Sequence, residues 1–297
     1  MIPLSRFHQH LHALLKVLAT TRRPSAATAG LDALLGYATI QGLCQASDTP
    51  ASSIASYKSR LAIDLAISQP LHEMGAAFHE AGIDALLLKG EAWSRTIYPV
   101  PGVRSRCDCD VWVRRSQRDD AIRLLAELGF HEARPYACAG EVLTPEALFR
   151  GAGLNVDLHW QLSTLSPICR DLDFERCWRS SLAVPGLPEW RMLGPIESLL
   201  HAALHFACSG RSGSRWIWAL DGLLLMDWAK TTPEAISIRA ASAGIDDLWM
   251  EYWTFVQLLS GMNAGQELHE PTPRPGREIL LLLSRAPWLD RARLAQE

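Results

Sequence analysis

Residues 86–113 read LLLKGEAWSRTIYPVPGVRSRCDCDVWV, and this stretch decides the fold. It opens on a short apolar run, turns at Lys89-Gly90 and continues into a segment of helical character. A Pro/Gly loop follows, then a second apolar run that carries Asp108 and Asp110. Residues two apart in a strand point to the same side. A strand here therefore sets two carboxylates side by side. Like charges that close are costly unless a cation stands between them. The residues themselves leave two readings open: an edge strand with its acids in water, or a divalent-metal site.

A second strand signal lies at Leu154–Trp160, LNVDLHW, where apolar and polar residues alternate. Asp157 and His159 share one face, opposite Val156, Leu158 and Trp160. A carboxylate pair on one strand and a third carboxylate on a neighbour suit two-metal phosphoryl transfer, in which two cations clamp the attacking and leaving oxygens. In that reading Asp108, Asp110 and Asp157 hold the metal, and Asp157 can also accept the proton of an attacking hydroxyl. Lys89-Gly90, at a strand-to-helix turn, suits the phosphate end of a nucleotide, because glycine admits a close backbone and helix N–H groups face an anion. Arg104 can add a bidentate fork. Each has a plainer reading: an ion pair for Lys89 or Arg104, local support for His159.

Outward from this unit the periodicity is helical. Phe7, Leu11, Leu14, Leu15 and Leu18 form one stripe, a second helix is predicted over Leu31–Ala46, and a third runs from Ser52 or Ser53 to Ala81, stopped by Gly82. After the acidic strand, helix is expected over Asp119–Leu128 and strand over Phe130–Tyr136. Residues 163–195 read as loop. Helices follow at Pro195–Cys208, Trp216–Trp228, Glu234–Ala243, Asp246–Leu259 and Ile279–Leu283. The fold class is therefore α+β, a small mixed sheet flanked by helices. Its expected divisions are residues 1–82 (helical), 83–162 (α/β core) and 163–297 (mostly helical).

The chain has 297 residues, ordinary globular composition and a formal net charge of −3, so no general field draws it to nucleic acid. Seven scattered cysteines suit a reducing cytoplasm better than a disulfide framework. The first residues lack a signal-peptide layout, and no apolar run is long enough to cross a bilayer. A cytoplasmic protein is expected, with no membrane partner and its oligomeric state open.

Taken together, L-K-G (Leu88–Gly90), Y-P-x-P-G-x-R (Tyr98–Arg104), D-x-D (Asp108, Asp110) and V-D-L-H-W (Val156–Trp160) resemble the nucleotidyltransferase-like proteins of the DNA polymerase β superfold, in particular a poorly characterised bacterial family. The likeness continues through His201 and His205 to Trp218 and Asp221. It implies a mixed sheet flanked by helices, and transfer of a nucleotidyl group from an NTP with Mg²⁺ (or Mn²⁺). The acceptor, whether small molecule, glycan or protein, is not implied. One departure is Lys89-Gly90-Glu91 where the superfold has Gly-Gly or Gly-Ser, so one hydroxyl ligand to the triphosphate is missing. Two other readings compete: a catalytically silent relative serving as an interaction module, and a zinc site on His201, His205 and Cys208.

Overall fold

The apolar runs around Lys89 become the centre of a sheet that is wider than the 83–162 segment. The computed structural model describes residues 2–20, 31–43, 51–100, 102–106, 108–133, 146–163, 169, 171–209 and 216–260. Strand β1 (Ala85–Leu87) pairs antiparallel with β2 (Cys109–Val113), setting Leu87 opposite Val111. All residues of both strands are buried, as continuous apolar runs require of strands covered on both faces.

Strand β5 (Leu154–His159) runs parallel to β2 and pairs Asp157 with Asp110. Beside it β4 (Glu146–Gly151) runs antiparallel, and the short β3 (His131–Glu132) ends that side. On the far side of β1 lies β7 (Leu187–Met192), parallel to it, then β6 (Leu182–Val184). The order is β3-β4-β5-β2-β1-β7-β6.

Residues 163–195, expected as loop, thus supply two strands and a short helix. Pro185 and Pro188 conceal the strands, but the register explains how both are tolerated. Pro185-Gly186 forms the two-residue turn between Val184 and Leu187, with Gly186 at φ +74°. Pro188 precedes the short stretch, Arg191 and Met192, that pairs with β1, so its missing N–H breaks no bond there.

The helices follow the predicted pattern closely. Helix α1 (Leu4–Thr20) buries Phe7, Leu11 and Leu14 on its stripe. Helix α2 (Asp32–Ile40) is shorter than predicted, and Ala46 lies outside the described residues. Helix α3 (Ala51–Glu80) ends before Gly82, whose φ of +67° suits glycine. Helix α4 (Lys89–Thr96) follows β1, and α5 (Arg118–Glu127) follows β2. The rest are α6 (Phe174–Arg179), α7 (Pro195–Ser209), α8 (Trp216–Ala229), α9 (Pro233–Ala243) and α10 (Asp246–Leu259). The predicted Ile279–Leu283 helix and the end of the Phe130–Tyr136 strand lie outside the described residues.

Helix α8 is apolar on nearly every side, Asp221 and Asp227 excepted, and it packs against α1, α7 and α10. Its Gly222 admits that packing, since a Cβ there would meet Val256 Cγ2 at 2.6 Å. Among the described residues no helix is long and apolar enough to cross a membrane.

Candidate active site

Strand β1 delivers the chain to Lys89 beside the acidic end of β2. The Leu88 amide donates to the Asp110 carbonyl at 2.9 Å, so the sheet itself fixes the turn next to that residue. Lys89 opens α4 with φ +41°, a left-handed conformation unusual for a residue with a side chain. Its ammonium reaches Asp110 Oδ1 at 2.7 Å. Burial disfavours the lysine charge, but Asp110 outweighs it and holds the pKa above the ordinary value.

Asp110 is the buried member of the pair, 3% exposed. Besides Lys89 it meets His159 Nε2 at 3.1 Å. Desolvation works against its charge, yet the lysine and imidazole hold its carboxyl well below the usual range. The other imidazole nitrogen, Nδ1, lies 3.0 Å from Glu146 Oε2 on β4. Burial alone would lower the His159 pKa; Glu146 and Asp110 raise it instead. His159, expected in a local supporting role, supports Asp110. Glu146 carried no signal in the sequence beyond being an acid at the start of an unrecognised strand.

Asp157 faces Asp110 across the β2–β5 ladder and is half-buried. Desolvation, then the charge of Asp110, pushes its carboxyl up to about 7. Asp108 lies one residue before β2 and is exposed at the lip. Its pKa is also raised, by the crowding of the cleft and by Asp110. Among the described residues neither Asp108 nor Asp157 has a cation at ion-pair distance, and no three His, Cys, Asp or Glu side chains stand at metal-ligating spacing. As donors, the carboxylates of Asp108, Asp110 and Asp157 are the hard oxygens a divalent cation of the Mg²⁺ type prefers. Burial first, and the charge of Asp110 second, raises the pKa of both Asp108 and Asp157.

Arg104 is brought close but directed elsewhere. Its Nε and Nη2 make two bonds of 2.8 Å to Asp221 on α8, and the Tyr98 hydroxyl donates to the same carboxylate at 2.7 Å. The Y-P-x-P-G-x-R and W-x-x-D segments therefore meet in one buried cluster, which fastens the loop before β2 to the central helix. Arg104 still borders the turn: a Cβ on Gly90 would lie 2.8 Å from its Nη1. A side chain at 90 would have to displace Arg104 or Arg106. Arg106 completes the loop, pairing with Glu91 of α4 and with Asp64 of α3 at 2.8 Å. The arginines near the acidic strand are largely committed to such pairs, Arg114 to Asp84 and Glu175 among them.

Helix α7 forms a wall of the site. His201 is 2% exposed, and its Nδ1 has no hydrogen-bond partner among the described residues. Burial pushes its pKa well below the ordinary value, with the Lys89 charge acting in the same direction. His205 packs edge-on against Trp218, ring centres 5.1 Å apart. A groove of about 460 Å³ between Phe78, Trp178, Pro188 and Arg191 opens near Ala85, the end of β1 away from Lys89, and takes no part in this site.

Among the described residues the site lies on a seven-stranded mixed sheet, with Asp110 and Asp157 register partners across parallel β2 and β5. The chain belongs to a family of uncharacterised nucleotidyltransferases, whose family model matches residues 36–257. Among solved structures, the solution structure of the antibiotic-resistance factor ANT(2″)-Ia is similar with a TM-score of 0.43 and 11% identity, covering 66% of this chain and 97% of that one. No curated protein matches the sequence.

Proposed function

We propose that this nucleotidyltransferase moves a nucleotidyl group from an NTP to a small-molecule, glycan or protein acceptor, with a divalent cation held by Asp108, Asp110 and Asp157. The observation that supports this most is the pairing of Asp110 with Asp157 across β2 and β5, with the Lys89 turn against them. When bound, Mg²⁺ or Mn²⁺ would neutralise charge on the triphosphate and polarise the phosphoryl group under attack.

The chain's own residues supply positioning and proton handling. Lys89 and the first N–H groups of α4 face an incoming phosphate oxygen. Arg104 acts from behind the turn, through Gly90 and the buried bond to Asp221. His159 holds the Asp110 carboxylate in place by donating from Nε2, with Glu146 on its other nitrogen. Asp157, whose carboxyl titrates near 7, is suited to take the proton of an acceptor hydroxyl at its Oδ.

The test uses NTP labelled at the α-phosphate, offered with Mg²⁺ and fractionated small-molecule, glycan and protein extracts. Label should pass to one acceptor fraction with release of pyrophosphate, and Asp110→Asn should abolish it. Transfer undiminished in Asp110→Asn would refute the assignment.

A further inference from the structure

The candidate metal site contains a cation of its own. Lys89 Nζ lies 2.7 Å from Asp110 Oδ1, and the side chain is only 16% exposed. That same oxygen also receives His159 at 3.1 Å. A metal ion seeking Asp110 Oδ1 therefore meets two resident partners.

The backbone indicates that this lysine is more than a passing surface charge. Position 89 has φ +41°, where glycine is free of strain and a lysine is not. The chain keeps lysine there and reserves glycine for position 90, where a Cβ would crowd Arg104. Backbone strain of this kind persists only where the surroundings enforce it, and the contacts that hold this turn are the Leu88 amide bond to the Asp110 carbonyl and the Lys89–Asp110 ion pair.

Occupancy points the same way. Lys89 and His159 both stand on Asp110 Oδ1, which leaves the carboxylates of Asp108 and Asp157, neither with a cation at ion-pair distance among the described residues, for an incoming ion.

We infer that Lys89 is a resident cation that takes the place of one of the two divalent ions, so that the nucleotide-free enzyme binds a single one. This rests on the reading of Asp108, Asp110 and Asp157 as metal ligands. The single ion takes the carboxylate oxygens that the lysine leaves free, those of Asp108 and Asp157 among them.

The test counts Mn²⁺ bound per chain without nucleotide, from the loss of the free-ion electron paramagnetic resonance signal. Wild type and Lys89→Arg should bind one Mn²⁺. Lys89→Met should bind two, the first about tenfold or more tighter than in wild type, because a neighbouring positive charge has gone. Lys89→Gly serves the same purpose with the backbone strain relieved, and circular dichroism confirms that each variant is folded. Two ions in wild type, or one ion of unchanged affinity in both Lys89→Met and Lys89→Gly, overturns the inference and leaves the carboxylate site intact. No Mn²⁺ on any folded variant overturns the inference and the metal-site reading together.

Discussion

Replacing Asp157 with asparagine should stabilise the metal-free protein while abolishing nucleotidyl transfer. The folded carboxyl releases its proton near 7, whereas an unfolded aspartate does so near 3.8. Below the lower value both states are protonated and the group is neutral in its effect. As pH rises between the two values the unfolded chain ionises first, so folding loses stability, and above about 7 the loss is complete. At 1.36 kcal/mol per pH unit the upper bound is about 4 kcal/mol. Asp157 is only half-buried, so water screening reduces this to roughly 1–3 kcal/mol. Asparagine keeps the shape and removes the charge. In EDTA at pH 8 the Tm of Asp157→Asn should exceed that of wild type by roughly 2–5 °C. At pH 5 the unfolded carboxyl is already ionised while the folded one is not, so about a third of the difference should remain, roughly 1–2 °C. Scanning calorimetry at the two pH values measures this. An Asp157→Asn variant that is less stable at pH 8, or stabilised equally at both, would refute the electrostatic account of the site.

The same carboxyl makes metal binding pH-dependent: protons compete for Asp157, so Mg²⁺ affinity measured calorimetrically should rise about tenfold from pH 6 to 8. Asp157→Asn should flatten that slope. Arg104→Met leaves Asp221 buried without its cation and should cost roughly 3–5 kcal/mol in urea denaturation, whereas Arg104→Met/Asp221→Leu should cost less than the single change. Gly75→Ala would put a Cβ 2.5 Å from Trp190 Nε1, which bonds the Leu71 carbonyl. It should destabilise by about 1–3 kcal/mol by the same measurement, without altering metal affinity.

The helices were legible because their stripes are regular; α10 has the bounds its periodicity predicts. The strands β1, β2 and β5 were legible for the same reason, being apolar or strictly alternating. Strand β4, EALFRG, has no clean period, although the glycines that flank its turn to β5 at Ala152 (φ +48°) mark the turn itself. Strands β6 and β7 were hidden by prolines whose harmlessness depends on register. At the site, Asp110 and Asp157 could be paired from their strand positions. The commitment of Arg104 to Asp221 could not, since it spans 117 residues and depends on where α8 packs. Likewise the unequal depth of the acidic pair was not legible: β2 begins at Cys109, leaving Asp108 exposed and Asp110 buried. The strand ends where the Arg104–Arg106 loop is pinned by ion pairs from α3, α4 and α8, contacts that local sequence does not reveal.

The central claim is tested most directly by titrating each NTP into the protein with Mg²⁺ in a calorimeter, on wild type and on Asp108→Asn/Asp110→Asn. One NTP should bind wild type only when Mg²⁺ is present, and that binding should vanish in the double variant. Equal binding by the folded double variant, or binding indifferent to Mg²⁺, would contradict a carboxylate-held cation as the centre of this enzyme.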